Sequence, residues 1–178
     1  MENNKRDRSN NDLLNLEKES GKESGKESGK ESGKESGKES VRENKKESEE
    51  ARKKKINKYN QKYIEMAKCF SELSYAKRKK VGAVIVKDSA IISDGYNGTP
   101  TGFENECEDS EGNTKWYTLH AEANAIMKLC KIGGASSSGS TLYLTLSPCK
   151  ECAKLILQAG IISVKYLEDY RDNSGLEF

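Results

Sequence analysis

One histidine, His120, serves the whole chain of 178 residues. A metal centre built on two imidazoles is therefore excluded, and any histidine chemistry must run through that position. Apolar residues are scarce, at 33%, and no run of them reaches the roughly 20 residues a membrane span needs. The polar N-terminus lacks the apolar core of a secretory signal, so none is expected there. Charge is abundant but nearly cancels, with 31 Lys and Arg against 29 Asp and Glu and a formal net charge of +2. Such a balance implies no strong general attraction to nucleic acid or membranes. Five cysteines without a secretory signal, two of them at metal-ligand spacing, fit a reducing cytoplasm better than a disulfide scaffold.

The apolar residues that exist are unevenly spread. Residues 1–55 are crowded with Lys, Glu, Ser, Asn and Gly, and Gly-Lys-Glu-Ser repeats in tandem over 21–40. A segment this polar cannot bury enough apolar area to offset its ordering entropy, so it is expected to be disordered. Its Lys/Glu alternation favours transient helix, and glycine at every fourth position works against it. The simplest reading is a solvated tail; Arg52-Lys53-Lys54-Lys55 is the one pattern that would suit a tether for a partner or RNA.

Residues 56–178 read as one α/β domain. Tyr59, Tyr63, Ile64, Ala67, Phe70 and Leu73 recur at helical spacing over 58–73. The run 81–86 (VGAVIV), a turn at Asp88-Ser89 and a second strand over 90–93 predict a β-hairpin. After an irregular loop over 95–119 come a helix over 121–131, a strand over 141–146, a helix over 149–160 and a strand over 161–167. This α-β-β-α-β-α-β order predicts a three-layer fold: a mixed sheet with helices on both faces, its site at one sheet edge where loops meet helix starts.

Two short motifs carry chemistry. His120-Ala121-Glu122 opens the second helix, and Pro148-Cys149-Lys150-Glu151-Cys152 opens the third. Cys149 and Cys152 are three apart and share a helix face, and Pro148 stands where a helix start tolerates it. Thiolates near a helix N-terminus are favoured by the N–H groups exposed there. One imidazole and two thiolates suit zinc and leave a fourth tetrahedral position for water, whose pKa zinc lowers from about 15.7 to about 7. Glu122 is then the candidate catalytic proton shuttle. A closed structural site would need a fourth ligand. Cys130 lies about 15 Å further along the same helix axis, whereas Cys107, in a loop, stays open as that ligand. Cys69, Cys107 and Cys130 are otherwise simple packing or surface thiols.

Two stretches bear on substrate. Gly95-Tyr96-Asn97-Gly98-Thr99-Pro100-Thr101-Gly102 is a turn-rich loop leading toward the metal motif, with Asn97 able to hydrogen-bond a sugar hydroxyl. Ser74-Tyr75-Ala76-Lys77-Arg78-Lys79-Lys80 is strongly basic. It is either a solvated turn or a phosphate contact, a task to which Arg78 is suited.

Taken together, VGAVIV, GYNGTPTGFENECE, LHAEANAI, TLYLTLSPCKECAKLI and DYRD resemble the deoxycytidylate (dCMP) deaminases of the cytidine/deoxycytidylate deaminase superfamily, from about residue 58 onward. The resemblance implies a cytidine-deaminase-like fold and zinc-dependent conversion of dCMP to dUMP and ammonia for thymidylate synthesis. His120, Cys149 and Cys152 match the zinc ligands and Glu122 the proton-shuttling glutamate. Asn97 matches the asparagine that holds the sugar. Ala121, Ser147 and Pro148 lie where the pyrimidine edge is read, and Tyr170 matches a tyrosine near the substrate. Homo-oligomers regulated by dCTP and dTTP, with Mg2+ as companion ion, are a further implication; Tyr96 and Gly98 of the GYNG loop would meet the effector. Where relatives often carry cysteine in the S-x-C-x-R stretch, this chain has Ala76, while Ser74 and Arg78 match.

Family members usually continue past a segment like Gly175-Leu176-Glu177-Phe178 with a helix and often a strand. A domain without them is expected to expose an apolar sheet face and an edge. Two other readings stay open: a deaminase of RNA or of a free nucleoside or base, and a truncated, non-catalytic zinc-binding relic. The GYNGTPTG loop speaks against the first. Glu122 speaks against the second, because a structural site has no use for a non-ligand carboxylate.

Overall fold

The computed structural model describes residues 35–178; the expected disordered segment lies outside the described residues as far as residue 34. The chain divides into two units, Met1–Lys58 and Tyr59–Phe178. Helix α1 (Glu35–Ser71) begins in the first and ends in the second. Residues 35–55, assigned to the tail by composition, are helical. Beyond Gly37 the glycines stop, and Glu49 and Glu50 stand four residues before Lys53 and Lys54, the favourable helical order for such pairs. Side chains over 46–56 are all exposed, so this stretch of helix rests on local interactions.

In the second unit the sheet runs β2-β1-β3-β4. Its strands are β1 (Gly82–Lys87), β2 (Ala90–Tyr96), β3 (Thr141–Leu146) and β4 (Ser163–Glu168). β1 is antiparallel to both β2 and β3, and β3 and β4 are parallel. A parallel pair needs a crossover, and α3 (Lys150–Gln158) supplies it. The expected hairpin closes at Asp88 and Ser89, both at positive φ (50° and 64°), as a two-residue turn that matches strand twist requires.

Strand alternation sorts the core into two layers. Ala83, Ile85, Leu142 and Leu144 face α2 (Ala121–Ile132) and α3, meeting Ala121, Ala125, Leu129 and Ile156. Val84, Val86 and Tyr143 face the other way, onto Ala67 with Tyr63, Ile64 and Phe70 around it. Helices thus cover both faces, as the element order predicted. Within that α1 stripe, Tyr59 and Leu73 stay about half exposed: Tyr59 packs its ring beside Tyr63, and Leu73 lies past the helix end. The buried Tyr143 hydroxyl donates to the Asn60 Oδ1 at 2.7 Å, so the α1 layer is satisfied as well as apolar.

The sheet edge that matters collects the start of β1, the ends of β2, β3 and β4, and the first turns of α2 and α3. Close backbone approach holds α2 there. A methyl on Gly95 would collide with the Ala121 carbonyl oxygen and stand 2.6 Å from the Ala125 nitrogen. Both obstacles are helix backbone and cannot swing aside. Gly95→Ala is therefore expected to cost about 3 kcal/mol, the upper range for overpacking, and to shift α2 away from the sheet. Urea unfolding followed by circular dichroism measures it; an unchanged midpoint would mean that the contact is slack.

Candidate active site

His120 is the N-cap of α2 and Cys149 the N-cap of α3. Both caps adopt extended backbone, which turns their side chains out of the helix and toward each other. Cys152, one turn into α3, completes the set: the His120 Nδ1 lies 3.5 Å from the Cys149 Sγ and 3.3 Å from the Cys152 Sγ. All three ligand atoms fall within 4.8 Å of one another. Tetrahedral zinc with bonds of about 2.0–2.3 Å places its ligand atoms roughly 3.3–3.8 Å apart. The donor set and its spacing fit that ion. Cys107 is not in the cluster; it is buried elsewhere, its thiol pushed up first by burial and then by Glu108. With Cys107 removed, the described residues contribute three ligands, and a tetrahedral ion held by them would keep a fourth position for water.

Charge is unevenly shared among the three. The Cys149 thiol is pulled down to about 3, first by a hydrogen bond from Cys152 and then by His120. Cys152, buried and donating to Cys149, is pushed up. The hydrogen bond with Cys149 draws the His120 imidazole up. Glu122 is 4% exposed, and burial pushes its carboxyl upward. The nearby His120 works in the opposite sense without outweighing burial.

A cavity of about 270 Å3 opens over this cluster. His120, Ala121, Glu122 and Cys149 form its floor, and Asn97, Ser147, Tyr170 and Arg78 stand in its walls. Pro148 is the exception among the residues expected there: it is buried behind the wall, its carbonyl packed against Gly175. Ser147 ties the wall together, its Oγ accepting the Tyr170 N–H at 2.7 Å while its own N–H donates to the Glu168 carbonyl. Asn97 is more committed than its loop suggested. Its Oδ1 accepts the Val81 N–H at 2.8 Å and its Nδ2 donates to the Lys79 carbonyl at 2.9 Å. One lone pair and one N–H remain for a ligand.

Sequence reasoning missed Thr114, Thr118, Lys79 and Arg171, which also line the cavity. Thr114 and Thr118 come from the irregular loop, which offers no periodicity. The DYRD segment was the available signal for Arg171, whose guanidinium lies 5.6 Å from the Tyr170 ring. Tyr96 and Gly98 do not face this cavity. They line a second one of about 620 Å3 between the GYNG loop and α2, where Asn124 donates to the Tyr96 carbonyl at 2.7 Å.

Residues 57–168 match the family model of the cytidine and deoxycytidylate deaminase zinc-binding region. The chain is 39% identical over 119 residues to a probable deoxycytidylate deaminase of Caenorhabditis elegans, covering 63% of this chain and 58% of that one. It is 39% identical over 118 residues to the ComE operon protein 2 of Bacillus subtilis, covering 64% and 61%. It thus spans about three-fifths of the length of these relatives. Among solved structures it is similar to the dCMP deaminase of cyanophage S-TIM5 in complex with dCMP and dUMP: 45% identity, a TM-score of 0.64, and coverage of 66% of this chain and 86% of that one.

Proposed function

Because the chain belongs to the cytidine and deoxycytidylate deaminase family, we propose that it hydrolyses dCMP to dUMP and ammonia, supplying dUMP for thymidylate synthesis. The observation that carries this reading is the buried Glu122 carboxyl beside the His120, Cys149 and Cys152 cluster, at the floor of a cavity rimmed by Arg78, Lys79 and Arg171. A zinc ion held by those three residues supplies the Lewis acidity that makes water nucleophilic near neutral pH.

The chain's own residues account for the rest. Glu122 takes one proton from the attacking water and delivers it to ring N3, then passes the second to the amine. The C4–N bond breaks as the C4–O bond becomes a carbonyl; one water proton ends on N3 and the other on ammonia. Burial favours this work, because a carboxyl pushed upward can hold a proton between the two transfers. Backbone at Ala121 and Ser147, with Pro148 behind them, reads the pyrimidine edge. Asn97 offers its remaining lone pair and N–H to the sugar, Tyr170 lies against the substrate, and Arg78 meets the phosphate.

Tyr96 and Gly98 sit in the second cavity, where a dCTP or dTTP effector with Mg2+ would bind, and the enzyme works as a homo-oligomer. A reducing cytoplasm suits the five free cysteines; among the described residues no helix is long and apolar enough to cross a membrane. Zinc-loaded protein incubated separately with dCMP, cytidine, CMP and adenosine tests the substrate. Ammonia release is expected with dCMP above all; equal or greater release from adenosine or cytidine would overturn the choice of substrate.

A further inference from the structure

Glu108 lies in the irregular loop and takes no part in the cavity, yet it is only 7% exposed. A buried carboxylate needs partners, and this one finds them thirty residues back in the chain. Its Oε1 and Oε2 accept the Lys77 N–H at 3.0 and 3.1 Å, and Oε1 also accepts the Arg78 N–H at 3.2 Å. The segment so gripped, 77–80, is the basic stretch at the cavity rim.

The grip itself is well anchored. Glu108 pairs with Thr114 across a tight turn. In that turn the Asp109 Oδ1 accepts the Glu111 and Asn113 N–H groups, each at 2.9 Å. At its base the Cys107 carbonyl accepts the Lys115 N–H at 2.8 Å and the Thr118 hydroxyl at 3.1 Å. Thr114 and Thr118 line the cavity, so the same turn forms one wall and holds the rim opposite.

The two cations that this segment contributes to the rim differ. Lys79 is drawn to Glu168 at 2.5 Å. Arg78 enters none of the ion pairs among the described residues. With nothing gripping its guanidinium, the position of Arg78 is set through its backbone, and its backbone is held by Glu108.

We propose that Glu108 is a positioning residue: by holding the Lys77 and Arg78 backbone it fixes where the Arg78 guanidinium stands, and so sets the preference for a 5′-phosphorylated substrate over the nucleoside. This rests on the cytosine-nucleotide reading above. A merely structural glutamate would, when lost, weaken every ligand alike. A positioning one weakens only ligands that carry the phosphate.

Calorimetric titration of the zinc-loaded full chain with dUMP and with deoxyuridine separates these cases, beside steady-state turnover of dCMP. Glu108→Ala is expected to weaken dUMP about tenfold, the scale of one charge-assisted hydrogen bond, and to leave deoxyuridine within about twofold. The dCMP KM rises in step while kcat holds. Glu108→Gln, which keeps one carbonyl oxygen for the N–H groups, is expected to lose about threefold. Combining Glu108→Ala with Arg78→Ala should cost no more than Arg78→Ala alone, since both act through one guanidinium. Equal loss for dUMP and deoxyuridine, a fall in kcat at unchanged KM, or additive losses would overturn the proposal. If Glu108→Ala does not fold, Glu108→Gln decides by the same ratio of affinities. A wild type that neither deaminates dCMP nor prefers dUMP to deoxyuridine would sink the functional reading and this proposal with it. A wild type that does both, with Glu108 variants that match it, would sink the proposal alone.

Discussion

Glu122→Ala is expected to keep zinc at one ion per chain and to lose about 10⁴-fold in turnover, the upper end of what one acid–base group supplies. The large effect follows from its double duty, since the same carboxyl serves both proton transfers. Retention of zinc follows from geometry: the cluster of ligand atoms is His120, Cys149 and Cys152, without the glutamate. Stability should move the other way. Burying this carboxyl costs desolvation, which is the largest cause of its upward shift, so the alanine variant should melt no lower than wild type. Metal analysis, ammonia release and a melting curve on the same sample check all three. Normal deamination by the variant would place the proton chemistry elsewhere.

Cys152→Ser is expected to lose zinc, activity and stability together. Cys152 is 2% exposed in the first turn of α3, and its ligand atom is fixed by the helix. A serine hydroxyl is shorter and does not ionise near neutral pH, so the site drops to two good ligands. Zinc held at a thousandfold excess over its Kd stabilises by about 4 kcal/mol, which for a domain of this size corresponds to a melting shift of roughly 10 °C. Calorimetric melting with and without a chelator reads this directly. Cys107→Ser is the control, since Cys107 lies outside the cluster. Full zinc occupancy in Cys152→Ser, or its loss in Cys107→Ser, would mean that the ligand set is wrong.

The parts of this molecule most legible in sequence were those where chemistry or periodicity is local. Residues 141–146 read as a strand and are one, because an apolar, β-branched run is bounded by Gly139-Ser140 and by Ser147-Pro148. The clustering of His120, Cys149 and Cys152 was legible because an imidazole and two thiols at helix starts have few other uses. Asn97 was half legible: the turn placed it at the cavity, and nothing local announced that its amide would bridge Val81 and Lys79. Glu108 was not legible at all, because its partners lie thirty residues away on another loop. The start of α1 was missed for the opposite reason: composition argued for a solvated tail, and local Glu–Lys order prevailed beyond Gly37.

The division of the metal ligands between two parts of the chain has a consequence for assembly order. His120 follows the β1–β2 hairpin and heads the helix packed on it, whereas Cys149 and Cys152 belong to the β3-α3-β4 crossover. These halves meet through the β1–β3 ladder and through α2 against α3. Short-range pairings form before distant ones, because closing a longer loop costs more entropy. Neither half alone can offer three ligands. Complete three-ligand coordination therefore requires the halves to dock, and an ion so held would act as a latch across the join between them.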